Sequence, residues 1–393
     1  MKKTLSILLL SLVFVCVSAV FAFGAEVQYP VLEVQEHTGY VDEIGKSKAE
    51  NGRTYVPLRL LFEHYDAAVD WNGADRTITV KRCDGAVIQM RLGSKTAVIS
   101  HLGKTKKLIM DVTPKAENGK TWVPLRFVAE NLMCDVLWDS SEKAVKITPL
   151  YFTDRFNGNR YTFDFQTEQV YELSAGGSVK RLGKISGIKA YGKRFGGAAS
   201  DITSLRKTEN GNYVITASKF ASTTYDYLAV YLNLRSGEGR FFIKGYLGSD
   251  KPSAVPCIDK NTVWFPYDRG VWAVDDSDGK IVREYAYADL LKSLDDIKAE
   301  GFYFAEGEYM LLRYTKASNA EYLPFVNLQT GEIVELTEVL VPAADREEYF
   351  SNDSAFPSCF LRFVNGENRR LLFEYLTYDE MNKQHIKNVE YKY

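Results

Sequence analysis

Histidine is scarce in this 393-residue chain. There are four, His37, His64, His101 and His385, and all stand isolated. A site that needs several imidazoles close together in sequence has nothing to draw on. Cysteine is hardly more frequent, with five, and no two are spaced as CxxC. A basic excess is also missing: 49 Lys and Arg stand against 51 Asp and Glu, a net charge of −2. Nucleic-acid binding draws on positive charge to release the counterions held by phosphates, so that class of partner is excluded. The chain contains no G-x-S-x-G, no H-E-x-x-H and no Walker loop, which removes the commonest sequence signs of serine hydrolases, zinc peptidases and nucleotide-binding proteins. What the chain does have is 46% hydrophobic residues, with 25 Tyr, 22 Phe and 5 Trp, enough apolar material for two or three domains.

One long apolar run occurs, and it lies at the start. Lys2 and Lys3 precede an uncharged stretch from Leu5 to Phe23, the pattern of a secretory signal. Small residues suit cleavage before Ala25 or before Phe23, and residues 1–24 are read as the signal peptide. An uncleaved anchor helix is the other reading, since this run nearly reaches the roughly 20 residues that span a bilayer. A lipoprotein box is disfavoured by the bulky Val13-Phe14-Val15 before Cys16. Loss of residues 1–24 removes two lysines and no acid, so 47 basic against 51 acidic residues leaves a net charge of −4. Export places Cys83, Cys134, Cys257 and Cys359 where oxidation can occur. They are read either as Cys83–Cys134 and Cys257–Cys359 disulfides or as buried thiols, the second being favoured because Cys134 takes the repeat position of Ala67.

That repeat organises residues 25–150. Asn51-Gly52-Arg53-Thr54-Tyr55-Val56-Pro57-Leu58-Arg59 returns 67 residues later as Asn118-Gly119-Lys120-Thr121-Trp122-Val123-Pro124-Leu125-Arg126. Glu63 matches Glu130, Val69 matches Val136 and Trp71 matches Trp138, giving ten identities over thirty positions, which marks a duplicated supersecondary unit. Asn-Gly predicts a turn, and the Thr-aromatic-Val that follows predicts a short strand. Pro57 and Pro124 suit the first turn of a helix, where a missing N–H costs nothing. Leu58, Leu61, Phe62 and Tyr65, and their counterparts Leu125, Val128, Ala129 and Leu132, have the spacing of an apolar helix face. Strands around Trp71 and Trp138, polar turns and alternating strands complete each unit as strand, helix, hairpin.

These residues resemble the stalk-type N-terminal domain of bacterial copper amine oxidases, a domain often found in two-repeat form on exported proteins of Gram-positive bacteria. The resemblance rests on Asn118 to Glu130 and Val136 to Asp139, with Ile88 to Ser94 and Asp111 to Pro114 as intervening strands, and it covers about residues 30–149. It implies an α+β stalk domain. It does not carry the oxidase chemistry, which needs a tyrosine-derived quinone and a copper ion on three histidines. Thr224-Tyr225-Asp226 has Thr where the quinone context has Asn, and the isolated histidines supply no copper set. Amine oxidation is therefore rejected, and no catalytic residue, cofactor or metal ligand is assigned.

Within the repeat signature, Arg59 and Arg126 could hold an anion or glycan, but the retained partners Glu63 and Glu130, four residues on, favour structural ion pairs. Trp71 and Trp138 are expected in the core.

Beyond Pro149 the sequence turns to short β-rich runs, with one helix expected near Ala288 to Lys298. A phrase recurs in which an apolar strand runs into Asp or Asn, then a polar turn often ending in Gly, then another strand. It ends its first strand at Asp164, Asn233, Asp275 and Asn327, and each instance predicts a hairpin. Units of this spacing point to an irregular β-propeller over 151–393, with a sandwich as the competitor. Asp275 to Gly279 is read as a hairpin turn rather than a calcium loop, because the first and twelfth ligand positions are wrong. Ser186 to Lys189 fits Ser-x-x-Lys without the companion motifs. Trp264, Tyr267 and Trp272 could form an aromatic platform for sugar rings, although core packing is the favoured reading. The expected protein is exported, non-catalytic and associated with the cell envelope, its partner a wall polymer or surface protein, with membrane contact only if the signal segment stays. The alternative is an extracellular hydrolase acting on glycans through paired carboxylates of the second domain.

Overall fold

The computed structural model describes residues 31–35, 41–195, 200–221, 224–247, 255–295, 297, 299–315, 321–343, 361–378 and 384–393. The signal segment, Cys16, His37 and Cys359 lie outside the described residues. The chain divides into two compact units, one of Met1–Arg82 with Ala86–Pro149, the other of Leu150–Tyr393 with the turn Cys83–Gly85.

In the first unit both copies of the repeat fold as strand, helix, hairpin. Copy one comprises β4 (Arg53–Pro57), α1 (Leu58–His64), β5 (Ala68–Asn72) and β6 (Thr77–Lys81). Copy two comprises β11 (Lys120–Pro124), α2 (Leu125–Asn131), β12 (Cys134–Asp139) and β13 (Ala144–Pro149). Pro57 and Pro124 each occupy the N-cap in extended conformation, so the ring ends the strand and leaves the helix its open N-terminus. The helices are only seven residues long, and the rest of the unit is strand. It is mostly β rather than the expected α+β, because two turns of helix per copy can cover a sheet edge but cannot form a layer. Two of the intervening strands are β7 (Val87–Arg91) and β8 (Thr96–His101), whereas residues 111–114, expected as a strand, form an irregular link.

The two copies meet about a pseudo-two-fold. In the sheet ordered β10-β11-β4-β3, with β3 at Lys48–Glu50 and β10 at Lys115–Glu117, Val56 pairs with Val123, its own counterpart in the repeat. Both side chains are fully buried. Left-handed backbone recurs at equivalent positions whatever the residue: Asn51 and Asn118, Gly52 and Gly119, Asp66 and Met133, Arg76 and Lys143. The hairpin turns also correspond, Asn72 Oδ1 accepting the Ala74 N–H at 3.0 Å and Asp139 Oδ1 accepting the Ser141 N–H at 2.9 Å.

The second unit is a chain of antiparallel meanders. Strands β14–β17 (151–185) and β18–β21 (200–247) join into one eight-stranded sheet through a parallel pairing of β17 with β21. Three further sheets follow in order, β22–β25 (257–286), β26–β30 (299–335) and β31–β33 (361–392). Apolar clusters fill the spaces between consecutive groups: Phe163 with Val230, Tyr231 with Phe265, Trp264 with Phe302, and Leu311 with Phe373. Each inner group thus packs on the groups before and after it, which accounts for the near-continuous apolar strands there. All four predicted hairpins form. Each recurrent Asp or Asn has one physical job, since Asp164, Asn233, Asp275 and Asn327 all turn a side-chain oxygen onto the N–H two residues on, at 2.8–3.1 Å. Of the helix expected at 288–298, the described residues show only Tyr287–Leu290, followed by turns.

Candidate functional site

Two hollows bring chemistry together, one in each unit. In the first unit a groove of about 610 Å³ is walled by α1, the β5–β6 hairpin and the Gly119-Lys120-Thr121 turn of copy two. Four residues of the repeat signature line it: Pro57, Arg59, Glu63 and Trp71. Trp71 is 45% exposed and its counterpart Trp138 is 50% exposed, so the expectation that both lie in the core is corrected. The reason is register. Trp71 pairs with Ile78 and Trp138 with Val145, and while the smaller partner is buried, the indole lies at the turn end of the hairpin, exposed to solvent. The expected Arg–Glu pairing is half right. Arg59 Nε lies 3.8 Å from Glu63 Oε1, both groups well exposed, whereas no ion pair joins Arg126 to Glu130 among the described residues. An exposed pair of that length adds little stability.

The stronger pairs escaped the sequence reading. Lys48 Nζ reaches Glu117 Oε2 at 2.7 Å, and Lys115 Nζ reaches Glu50 Oε2 at 2.5 Å. These are one pair seen twice across the pseudo-two-fold. The carboxylates of Glu117 and Glu50 raise the Lys48 pKa, and the ammonium groups of Lys115 and Lys48 lower that of Glu50. The signal is present in the sequence, because Lys-Ala-Glu-Asn-Gly occurs at both 48–52 and 115–119, starting three residues ahead of Asn51 and Asn118.

In the second unit a cavity of about 660 Å³ opens where the first hairpins of three successive sheets converge, at Asp259-Lys260, Gly307-Glu308 and Asn368-Arg369. Tyr285, Tyr309 and Tyr393 supply its aromatic wall. Two of its three acids, Asp259 and Glu306 but not Glu308, are engaged in holding the turns. Asp259 Oδ2 accepts the Gly307 N–H at 2.6 Å, and Glu306 Oε2 accepts the Tyr393 hydroxyl at 2.6 Å and the Arg369 N–H at 3.1 Å. Burial and the adjacent Glu306 push the Tyr393 hydroxyl pKa up, which keeps it a donor. Lys260, Arg283 and Arg369 line the same space, and none has an ion pair among the described residues. The Arg283 guanidinium lies over the Tyr285 ring at 5.8 Å.

The three residues of the suggested platform do not come together. Trp264 is 5% exposed and packs toward the fourth group of strands, while Tyr267 and Trp272 stack on each other at 4.6 Å on the opposite face. Strand alternation separates them: residues 264 and 267 differ by an odd number and must point to opposite sides. The calcium-loop residues are likewise engaged within the protein. Asp275 caps its turn and accepts from Asn261, and Asp276 is fully buried, accepting from Asn210, Asn212 and Tyr231 at 2.9–3.0 Å. These donors outweigh the burial and hold the Asp276 pKa low. Cys83 and Cys134 are buried, and no disulfide joins them, nor does Cys257 form one, among the described residues. Among the described residues no group of three or more His, Cys, Asp and Glu side chains is placed to hold a metal ion, and no helix is long and apolar enough to cross a membrane.

The repeated unit, its two-fold sheet and its exposed tryptophans define a duplicated stalk-type module. Residues 43–147 match the copper amine oxidase N-terminal domain. No curated protein matches the chain. Solved structures similar to it include a catalytically inactive virginiamycin B lyase from Staphylococcus aureus with quinupristin, at 10% identity and TM-score 0.24, over 81% of this chain and 87% of that one. A puromycin-hydrolyzing peptidase of Mycobacterium tuberculosis is similar at 11% identity and TM-score 0.27, over 81% of this chain and 46% of that one. The N-terminal domain of Nup159 aligns at 11% identity and TM-score 0.28, over 82% and 73%. Likeness at this level places no constraint on activity.

Proposed function

We propose that this chain is an exported, non-catalytic protein of the cell envelope, in which the stalk-type first unit carries a propeller-like second unit that binds a wall polymer or a surface protein. Export is supported by the charged start and uncharged apolar run of residues 1–24. The propeller-like reading is supported by the order of the second unit, five successive meanders each packed on the next.

The observation that carries the binding role is the cavity at the converging hairpins. Two of its three carboxylates, Asp259 and Glu306, have oxygens committed to backbone and tyrosine donors, while Lys260, Arg283 and Arg369, which have no ion pair among the described residues, stand beside Glu308 and three tyrosines. A general acid or base must be able to give or take a proton at the substrate, and a carboxylate fixed as acceptor for its own turn is poorly placed to do so. Cations and phenol rings facing an open space are suited to holding an anionic or hydroxyl-rich ligand.

The test is co-sedimentation of the purified chain with isolated cell walls, run beside an assay for soluble sugar released from the same walls. Retention on the walls without release is expected, with retention falling at least tenfold in Arg283→Glu. Release of sugar by the purified chain would replace this reading with the glycan hydrolase, and passage through the walls unretained would remove the envelope role.

A further inference from the structure

The groove of the first unit is a second place where a ligand can sit, and it lies in the part of the chain that the stalk comparison treats as a support. Its floor is apolar: Leu58 and Ile78 are buried beneath it, and Leu60, 41% exposed, and Trp71 flank it. Val69 and Trp71 are alternate residues of β5 and so share the face that looks into the groove. The rim is polar and mixed in sign. Arg59 and Glu63 stand side by side on α1, and across from them the Gly119–Thr121 turn presents Lys120, which has no ion pair among the described residues.

The two-fold shows what is special about this half. The counterpart of Leu60 is Phe127, which is buried. The counterpart of Lys120 is Arg53, whose Nε is held by Asp111 Oδ2 at 2.8 Å. In the equivalent place beside copy two's helix, the position that would open the wall is filled by Phe127, and the cation that copy one would lend to it, Arg53, is paired. Beside copy one's helix both positions are open, Leu60 from copy one and Lys120 from copy two.

We infer that the groove formed by Trp71, Leu60, Arg59, Glu63 and Lys120 is a saccharide-binding site, selective for a short glycan segment that bears carboxylates. A flat, half-exposed indole offers a face to the apolar C–H side of a pyranose ring. Hydroxyl groups both donate and accept, and the rim supplies donors on Arg59, Lys120 and Thr121 with an acceptor on Glu63. Two cations against one carboxylate favour an acidic sugar over a neutral one. An acidic peptide would gain from the same cations, but it offers no flat apolar ring to the indole, and its carboxylates would face Glu63. A volume of about 610 Å³ lies within the range of small-molecule sites. This inference does not rest on the second-unit cavity, and the two can fail separately.

Calorimetric titration of the purified chain with tetragalacturonate, maltotetraose and a tetraglutamate peptide tests it. Tetragalacturonate is expected to bind at least fivefold tighter than maltotetraose and tetraglutamate. Trp71→Ala and Lys120→Glu should each weaken it at least tenfold, Trp71→Phe should recover most of the loss, and Trp138→Ala should stay within twofold of the parent. Lys120 is the exposed first residue of β11, so its variant keeps the test decisive if Trp71→Ala does not fold. Absence of tetragalacturonate binding, binding untouched by both Trp71→Ala and Lys120→Glu, loss only in Arg283→Glu, or tighter binding of the peptide would each overturn the assignment.

Discussion

The two copies of the repeat share a backbone and differ in what they leave open. Both turn at Asn-Gly, enter a seven-residue helix behind proline and place a tryptophan at the exposed end of a hairpin. They exchange reciprocal Lys–Glu pairs across a sheet whose centre is Val56 against Val123. Yet the side chains around the tryptophans have diverged. Copy two fills the space beside its helix with Phe127 and ties its hairpin turn with Lys146, whose Nζ lies 2.9 Å from Asp139 and 2.7 Å from Glu142. The Ser141 hydroxyl and that ammonium hold the Asp139 pKa well below the usual carboxylate range. Copy one has Leu60, Asn72, Asp75 and Thr79 at the corresponding positions. Duplication supplied two equal frames, and the difference between them separates residues the frame needs from residues free to take a ligand.

The largest expected effect breaks what the copies share. Val56→Asp places a charge at the fully buried centre of the two-fold, and a cost above about 4 kcal/mol should unfold the first unit, read as loss of its thermal transition. Next comes the pair that tells the copies apart. Phe127→Ala should cost about 3–5 kcal/mol in chemical denaturation, whereas Leu60→Ala, half open to solvent, should cost under about 1 kcal/mol. Equal costs would mean that the groove is closed in solution.

The second unit can be told from the first by pH. Burial pushes the Glu335 carboxyl up to about 7, although its Oε1 accepts the Leu323 N–H at 2.7 Å. Its folded pKa therefore exceeds the ordinary value of 4.5. Between those values the folded state holds more protons than the unfolded one, so stability falls as pH rises from about 4.5 to 7 and levels off above. Glu335→Gln should flatten that slope and raise the second unit's stability at pH 8 by roughly 2 kcal/mol, leaving the first unit's transition in place. The smallest effect is predicted for Trp71→Ala and Trp138→Ala, about 1 kcal/mol or less each in the same denaturation series. A loss of 3 kcal/mol or more, on the order of that for a buried aromatic, would return both tryptophans to the core.

Local signals carried most of the fold. Asn-Gly turns, proline at the helix starts and Asp or Asn at the hairpins act within three or four residues, so they can be read from the chain alone. The tryptophans could not be placed that way. An alternating strand shows that Val69 and Trp71 share a face, but whether a helix covers that face depends on where a seven-residue helix ends. The proposed platform failed for a reason that counting would have caught, since Trp264 and Tyr267 sit at odd separation on one strand. The cavity at Lys260, Arg283 and Arg369 had no sequence sign, because it gathers one turn from each of three sheets tens of residues apart. The reciprocal Lys48–Glu117 and Lys115–Glu50 pairs had one in the repeated Lys-Ala-Glu, a triplet whose meaning appears only when the two-fold sets one copy against the other.

The claim that copy one keeps an open, ligand-ready tryptophan while copy two does not is tested most directly by the indole N–H resonances of the five tryptophans. With Trp71 and Trp138 assigned through single Phe variants, titration with tetragalacturonate should move the Trp71 resonance progressively and leave those of Trp138 and the buried Trp264 in place. A Trp71 signal that stays fixed at saturating sugar, or a Trp138 signal that moves as far, would contradict the account.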